Sequence, residues 1–172
     1  MRTLMLTILV ALTMDAALAD SPLAKWEALS TVSSGESRAE RSEHLRAYEM
    51  SDEAIDGFLK TKDETDRALA QMGTDWDAAL CARQAYWESR DNETFAQEVE
   101  RFIASYEARI AAAIEELPSK MPQEDALRLE HVLTTHVGQS HNAQDAPTRI
   151  RDGKVDLKRY VGMRCQPEQW KE

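Results

Sequence analysis

Three of the four histidines, His131, His136 and His141, lie close together in the sequence and are the first candidates for metal chemistry. Zinc-binding helices usually place two histidines four residues apart, whereas a spacing of five turns His136 by about 140° from His131. His136 and His141 could still bind one transition-metal ion if the chain turns back at Gly138, with Glu130 as a weaker candidate ligand. The alternative is solvated histidines near a helix C-terminus, where the helix dipole favours the charged imidazole.

The two cysteines, Cys81 and Cys165, are candidates for a disulfide, a redox-active pair or a metal site. The sequence has no C-x-x-C motif that would lower the pKa of a thiol, and no third or fourth thiolate for zinc. In an oxidising compartment an even pair of cysteines is most simply one structural disulfide. We therefore expect a Cys81–Cys165 disulfide, which closes a long loop and stabilises the fold by about 4–5 kcal/mol in the chain-entropy model.

Catalytic motifs are absent from the sequence. It contains neither a G-x-S-x-G nucleophile motif nor a glycine-rich loop beside a predicted strand, and it lacks the C-x-x-C-H motif of covalent c-type haem. Two inward-facing carboxylates could still hydrolyse glycosides, because the chain has 31 acidic residues and some of them must lie near one another. We expect a non-enzymatic protein without a cofactor, and a small paired-carboxylate hydrolase stays an open alternative.

The charge of the chain limits its partners. Its 172 residues include 21 basic and 31 acidic side chains, which give a formal net charge of −10. A nucleic-acid-binding protein needs excess positive charge to displace counterions from phosphates, so we expect no nucleic-acid partner. Adhesion to anionic lipid is disfavoured for the same reason. An acidic surface attracts basic proteins over long distances, and the charge therefore favours a basic protein partner.

Residues 1–19 have the organisation of a removable export signal. Arg2 supplies positive charge, Leu4 to Met14 form an apolar stretch, and Ala17-Leu18-Ala19 is a small-x-small cleavage pattern. The apolar stretch is shorter than the roughly 20 residues of a membrane-spanning helix. We expect a signal peptide over 1–19, a mature chain without a stable membrane anchor, and a periplasmic or secreted location.

Apolar residues recur every three or four positions over most of residues 22–137, which predicts amphipathic helices. The first helix is expected over about 22–33. Ser51 is the predicted N-cap of a second helix, which should end at Gly73. Another helix should begin at Thr74. The longest apolar stripe predicts a helix over 93–117, and a short connector should place 122–137 antiparallel to it.

Helical periodicity is lost over residues 139–172, where basic residues outnumber acidic ones. We expect this tail to be irregular. The fold prediction is therefore a single all-α domain over residues 20–172, a small bundle of four to five helices with the basic tail tied on by one disulfide. Trp170 lies among polar residues near the C-terminus and is a candidate for contact with a partner.

These observations leave three functional hypotheses. The first is an exported, non-enzymatic binding protein, such as an inhibitor, an immunity protein or a chaperone-like module, whose acidic surface suits a basic protein partner. The second is a metal- or pH-responsive exported protein that uses His136 and His141. The third is the paired-carboxylate hydrolase.

Overall fold

The computed structural model describes residues 21–136 and 146–166. Within these two ranges the chain forms eight α-helices and one 3₁₀ helix, and no strand. In chain order they are α1 (Pro22–Val32), α2 (Arg38–Arg46), α3 (Asp52–Ala82), α4 (Gln84–Glu88), α5 (Asn92–Glu116), the 3₁₀ helix Leu117–Lys120, α6 (Gln123–His136), α7 (Ala146–Arg151) and α8 (Leu157–Cys165). The all-α prediction is confirmed, whereas the expected number of four to five helices is too low. None of the helices in these ranges combines the length and the apolar character that crossing a membrane requires.

Helix α3 runs without a break through Gly73 and Thr74, where the sequence predicted one helix to end and another to begin. Thr74 does not cap a new helix, because its hydroxyl donates to the carbonyl oxygen of Ala70 one turn earlier, at 3.1 Å. Leu69 and Leu80 are both buried on either side of Gly73. An interior glycine costs a helix about 1 kcal/mol, which is less than the burial of these two side chains contributes.

The prediction of an irregular tail is wrong for residues 146–151 and 157–165, which form α7 and α8. Both helices are too short to show a helical period in the sequence, and their stability comes from packing. Ile150 of α7 and Leu157 and Val161 of α8 are buried. Asp156 caps α8 by accepting the backbone N–H of Arg159 at 3.1 Å.

The described residues fall into two compact units, each of which contains part of both long helices. The first unit holds residues 21–64 and 110–136, and the second holds residues 65–109 and 146–166. Helix α3 therefore begins in the first unit and ends in the second, and α5 begins in the second and ends in the first.

The core of the first unit contains side chains from five helices, α1, α2, α3, α5 and α6, and from the 3₁₀ helix. Its largest fully buried side chains are Leu29, Leu45, Phe58, Leu59, Ile110 and Leu117. Helix α1 packs against α6, where Ala24 and Ala28 contact Leu133. The small alanine side chains allow the two helices to approach closely, and the face of α6 that carries Leu133 therefore packs against α1.

The core of the second unit contains side chains from α3, α4, α5, α7 and α8. Trp87, Phe95 and Tyr160 form a row of edge-to-face contacts, with ring centroids 5.5 and 5.9 Å apart. The predicted disulfide is present, and it joins Cys81 in the last turn of α3 to Cys165 at the end of α8 with the Cα atoms 5.2 Å apart. This disulfide ties the basic C-terminal segment to the rest of the unit, as the sequence predicted.

Candidate binding groove

The surface of the first unit carries a groove around the exposed side chain of Leu127, which we call the Leu127 groove. A larger cavity of about 520 Å³ lies between the turn after α2 (Ala47, Tyr48, Glu49) and one face of α6 (Glu124, Leu127, Arg128, His131, Val132). A smaller cavity of about 260 Å³ lies between the end of α5, the 3₁₀ helix and α6. Leu127 lines both cavities, and 61% of its surface is exposed.

The wall opposite α6 is a tight turn. The backbone N–H of Glu49 donates to the carbonyl oxygen of Arg46 at 2.9 Å, and Glu49 has a left-handed φ of 60°. This conformation is uncommon outside glycine. Arg128 stabilises it, since its Nη1 donates to the carbonyl oxygen of Glu49 at 2.7 Å. Tyr48 is half-buried, and its hydroxyl is hydrogen-bonded to Nε2 of His136 at 3.1 Å.

A buried carboxylate fixes α6 to the start of α3. Asp125 is only 2% exposed, and it accepts the backbone N–H of Ser51 at 3.1 Å and the Ser51 hydroxyl at 2.6 Å. Arg128 donates to the same carboxylate at 3.1 Å. The hydrogen bond from the Ser51 hydroxyl lowers the pKa of Asp125 below its ordinary value, although burial acts in the opposite direction. The groove is therefore shaped by hydrogen bonds rather than by apolar packing alone.

Carboxylates surround the apolar floor of the groove. Glu49, Glu124 and Glu130 are exposed among the residues that line the two cavities. Arg128 is the only lysine or arginine among those lining residues, and it is engaged with Glu124 and Asp125. The groove thus offers an apolar side chain and a surplus of negative charge to whatever contacts it.

The three candidate metal ligands are not brought together in the part of the chain that the structure describes. Glu130 and His136 are six residues apart on α6, so they point about 120° away from each other around the helix. His136 already contacts Tyr48, and His141 lies outside the described residues. No group of three or more histidine, cysteine or acidic side chains could hold a metal ion within residues 21–136 and 146–166. The metal-binding hypothesis depends on His141 and stays a prediction.

A paired-carboxylate centre requires an acid whose pKa is raised, so that it can donate a proton. Among the described residues, the pKa is displaced downward for the carboxyl groups of Asp63, Asp91, Glu93, Glu100 and Asp125. Asp125 is the buried one among these carboxylates, and it has the hydrogen bonds of a structural group. The hydrolase hypothesis gains no support from these groups.

The groove was not predicted from the sequence, although the sequence contains one signal for it. Leu127 lies two residues before Leu129, which places it about 200° from that side chain and away from the buried stripe of α6. An apolar residue on the polar side of an amphipathic helix is a signal for a contact surface. The other candidate contact residue, Trp170, and the predicted signal peptide over residues 1–19 lie outside the described residues.

The chain matches no protein-family model, and neither the curated proteins nor the solved structures include a significant match to it.

Proposed function

We propose that this protein is an exported, non-enzymatic binding protein whose Leu127 groove receives an amphipathic, positively charged segment of a protein partner. The observation that carries this proposal is the exposed Leu127, which stands between two cavities and is surrounded by carboxylates. A protein with this function is an inhibitor, an immunity protein or a chaperone-like module.

Leu127 lies where a partner could make apolar contacts on both of its sides. Single exposed apolar residues are common on protein surfaces and need no explanation. Leu127 differs because the cavities on its two sides also expose parts of Tyr48, Ile114 and Leu133, so an incoming apolar side chain would have partners to contact. An amphipathic helix docks in this way, with its apolar side chains in a groove and its polar side in solvent.

The rim of the Leu127 groove is acidic. Glu49, Glu124 and Glu130 are exposed around the groove, and the whole chain has a net charge of −10. A lysine- or arginine-rich segment would gain both from long-range attraction and from short-range pairing with these carboxylates. An acidic segment with the same apolar pattern would be repelled. The charge therefore selects the basic segment among amphipathic ones.

Fluorescence anisotropy with two labelled helical peptides of equal length tests the proposal. One peptide combines leucine with lysine in an amphipathic pattern, and the other replaces every lysine with glutamate. We expect saturable binding of the lysine peptide, weaker binding at high salt and no binding of the glutamate peptide. Equal binding of the two peptides would contradict the proposal.

A charge-adding substitution separates docking in the groove from general attraction to an acidic protein. Leu127→Asp adds one negative charge, so attraction alone predicts tighter binding of the lysine peptide, whereas docking predicts about tenfold weaker binding. Met163→Asp is the matched control. Met163 is the other large apolar side chain that is exposed among the described residues, with 48% of its surface accessible, and it belongs to the second unit. Tighter binding by both variants would show that the groove is not used.

Export has its own test. If residues 1–19 are a signal peptide, the protein recovered from outside the cytoplasm should begin at Asp20, as determined by intact mass. Recovery of the full-length chain from the cytoplasm alone would remove the exported part of the proposal and leave the groove untouched.

A further inference from the structure

Two arginines of the second unit lie over one tyrosine ring. The Cζ atom of Arg83 lies 4.2 Å from the centroid of the Tyr86 ring, and the Cζ atom of Arg90 lies 4.1 Å from the same centroid. Arg83 is also 5.5 Å from the ring of Trp87. We call these three residues, Arg83, Tyr86 and Arg90, the Arg–Tyr–Arg cluster.

The local fold brings the cluster together. Arg83 precedes the short helix α4, Tyr86 lies within it, and the chain turns after it with the N–H of Arg90 donating to the carbonyl oxygen of Trp87 at 3.1 Å. Trp87 is buried in the core and contacts the Tyr86 ring edge to face, with centroids 4.8 Å apart. The ring is therefore held in place, and both guanidinium groups are positioned against it.

Neither arginine of the cluster forms an ion pair with a residue that the structure describes. Arg83 and Arg90 are exposed, and no carboxylate partner for either lies within residues 21–136 and 146–166. Other arginines of this unit do have such partners: Arg101 pairs with Glu98, and Arg151 pairs with Glu93 and Glu100. The cluster thus places two positive charges against one ring, with no carboxylate in ion-pair contact among the described residues.

The nearby acidic residues are occupied elsewhere. Glu88 accepts the side-chain amide of Gln84 at 2.7 Å, and Asp91 accepts both the N–H and the hydroxyl of Thr94 at the start of α5. Among the described residues, the N–H groups of the two guanidinium groups are therefore available to a ligand, while both Cζ atoms lie over the aromatic ring.

We propose that the Arg–Tyr–Arg cluster binds a phosphorylated ligand, with a phosphate group held by the two guanidinium groups. Arginine presents a planar fork of donors that matches phosphate oxygens in pairs, and stacking on an aromatic ring keeps the fork in a fixed orientation. The two Cζ atoms can be no farther apart than the sum of their distances to the shared ring, which suits a single phosphate or two linked ones. The proposal does not depend on the Leu127 groove, which lies in the other unit.

Titration calorimetry of the full chain with inorganic pyrophosphate tests the proposal. The chain as a whole repels anions, so a saturable heat would report a local site rather than general attraction. We expect Arg83→Gln and Arg90→Gln each to weaken binding about tenfold. Arg101→Gln is the control, because it removes the same charge from an exposed, ion-paired arginine of the same unit, and it should leave the affinity unchanged.

Substitutions of the ring test whether stacking matters. Tyr86→Phe keeps the aromatic face and should keep the affinity, whereas Tyr86→Leu retains both charges and should weaken binding. Arg90→Lys retains the charge without the fork and should also weaken binding. The absence of a saturable heat, or equal losses in Arg83→Gln and Arg101→Gln, would overturn the proposal. Full affinity in Tyr86→Leu with a native circular dichroism spectrum would overturn it as well.

Co-sedimentation distinguishes a lipid headgroup from a soluble phosphorylated molecule. Vesicles of phosphatidylcholine are compared with vesicles that also contain phosphatidic acid, whose headgroup is a phosphate monoester. Binding of pyrophosphate together with sedimentation on the phosphatidic acid vesicles would identify a headgroup site, and binding of pyrophosphate alone a soluble ligand. Binding to neither probe would contradict both.

Discussion

Ser51 donates two hydrogen bonds to one carboxylate, that of Asp125: its backbone N–H to Oδ1 at 3.1 Å and its hydroxyl to Oδ2 at 2.6 Å. The same hydroxyl oxygen accepts the backbone N–H of Ala54 at 3.2 Å, so Ser51 caps α3 while it contacts α6. One serine thereby fixes the start of the longest helix to the helix that carries the Leu127 groove.

Removal of this carboxylate should destabilise the first unit. We expect Asp125→Asn to lower the free energy of unfolding by about 1–3 kcal/mol, because a buried group loses charge-assisted hydrogen bonds. Ser51→Ala should lower it by about 1 kcal/mol through loss of the cap. Urea denaturation followed by circular dichroism measures both. Asp56→Asn is the control, because Asp56 is an exposed aspartate in an ion pair with Arg38. The free energy of unfolding of this variant should be close to that of the wild type.

The double variant Ser51→Ala/Asp125→Asn tests whether the two side chains interact. Since Ser51 and Asp125 share two hydrogen bonds, the effects of the two substitutions should not add, and the double variant should be more stable than their sum predicts. Strict additivity would show that the two groups do not interact in solution.

The stability of the protein should depend on acidic pH in a defined direction. The pKa of Asp125 is lowered in the folded protein by the Ser51 hydroxyl, and that of Asp63 is lowered by its hydrogen bond with Arg41. A lowered native pKa means that the stabilisation is complete above the unfolded value, near 4, and is lost as the pH falls through the native value. The free energy of unfolding should be constant as the pH is lowered from neutral, and it should fall when the pH becomes strongly acidic. Asp125→Asn should show a shallower fall, and an unchanged profile in this variant would contradict the assignment.

Two glycines of α3 should respond in opposite directions to the same substitution. A Cβ atom at Gly57 would lie 2.5 Å from the backbone carbonyl oxygen of Lys120, whereas a Cβ atom at Gly73 would have no neighbour within 4 Å. We expect Gly57→Ala to destabilise the protein by about 1–3 kcal/mol and Gly73→Ala to stabilise it by about 1 kcal/mol. Denaturation midpoints of the two variants make the comparison, and stabilisation by both would mean that α3 does not approach Lys120 closely.

Loss of the disulfide should weaken the second unit. Cys81 and Cys165 are 84 residues apart in the sequence, and closing a loop of this length stabilises a fold by about 4–5 kcal/mol in the chain-entropy model. The variant with both cysteines changed to serine should lose up to this amount and should lose hydrogen-exchange protection in α7 and α8. Reductant should have the same effect on the wild type and none on the variant. Equal stability with and without reductant in the wild type would contradict the prediction.

The sequence predicted those parts of the fold in which local signals agree with packing. The bounds of α1 and α5, the N-cap at Ser51 and the Cys81–Cys165 pair could be predicted because periodicity, capping and cysteine count each identify them directly. Gly73 and Thr74 misled the prediction, because their local preference to end and begin helices is outweighed by burial on both sides. Helices α7 and α8 could not be predicted, because they are short and depend on contacts with residues far away in the chain.

The binding sites were harder to predict than the fold. The Leu127 groove is formed by a turn near residue 48 and a helix that begins at residue 123, and no local pattern shows that these segments meet. The three residues of the Arg–Tyr–Arg cluster are close in the sequence, but a spacing of three and four residues is also typical of an ordinary helix surface. What distinguishes it is the absence of carboxylate partners among the described residues, and only coordinates show this.

Because α3 and α5 each pass from one unit into the other, neither unit corresponds to an uninterrupted piece of polypeptide. A stop codon just before residue 146 would therefore not leave one finished half. The truncated chain would lack the side chains of Ile150, Leu157 and Val161, which cover Leu80, Trp87, Phe95 and Val99. The exposed apolar surface would promote aggregation. The core of the second unit can therefore be completed only after the C-terminal segment has been synthesised, because that segment supplies Tyr160 and the side chains that cover Trp87 and Phe95.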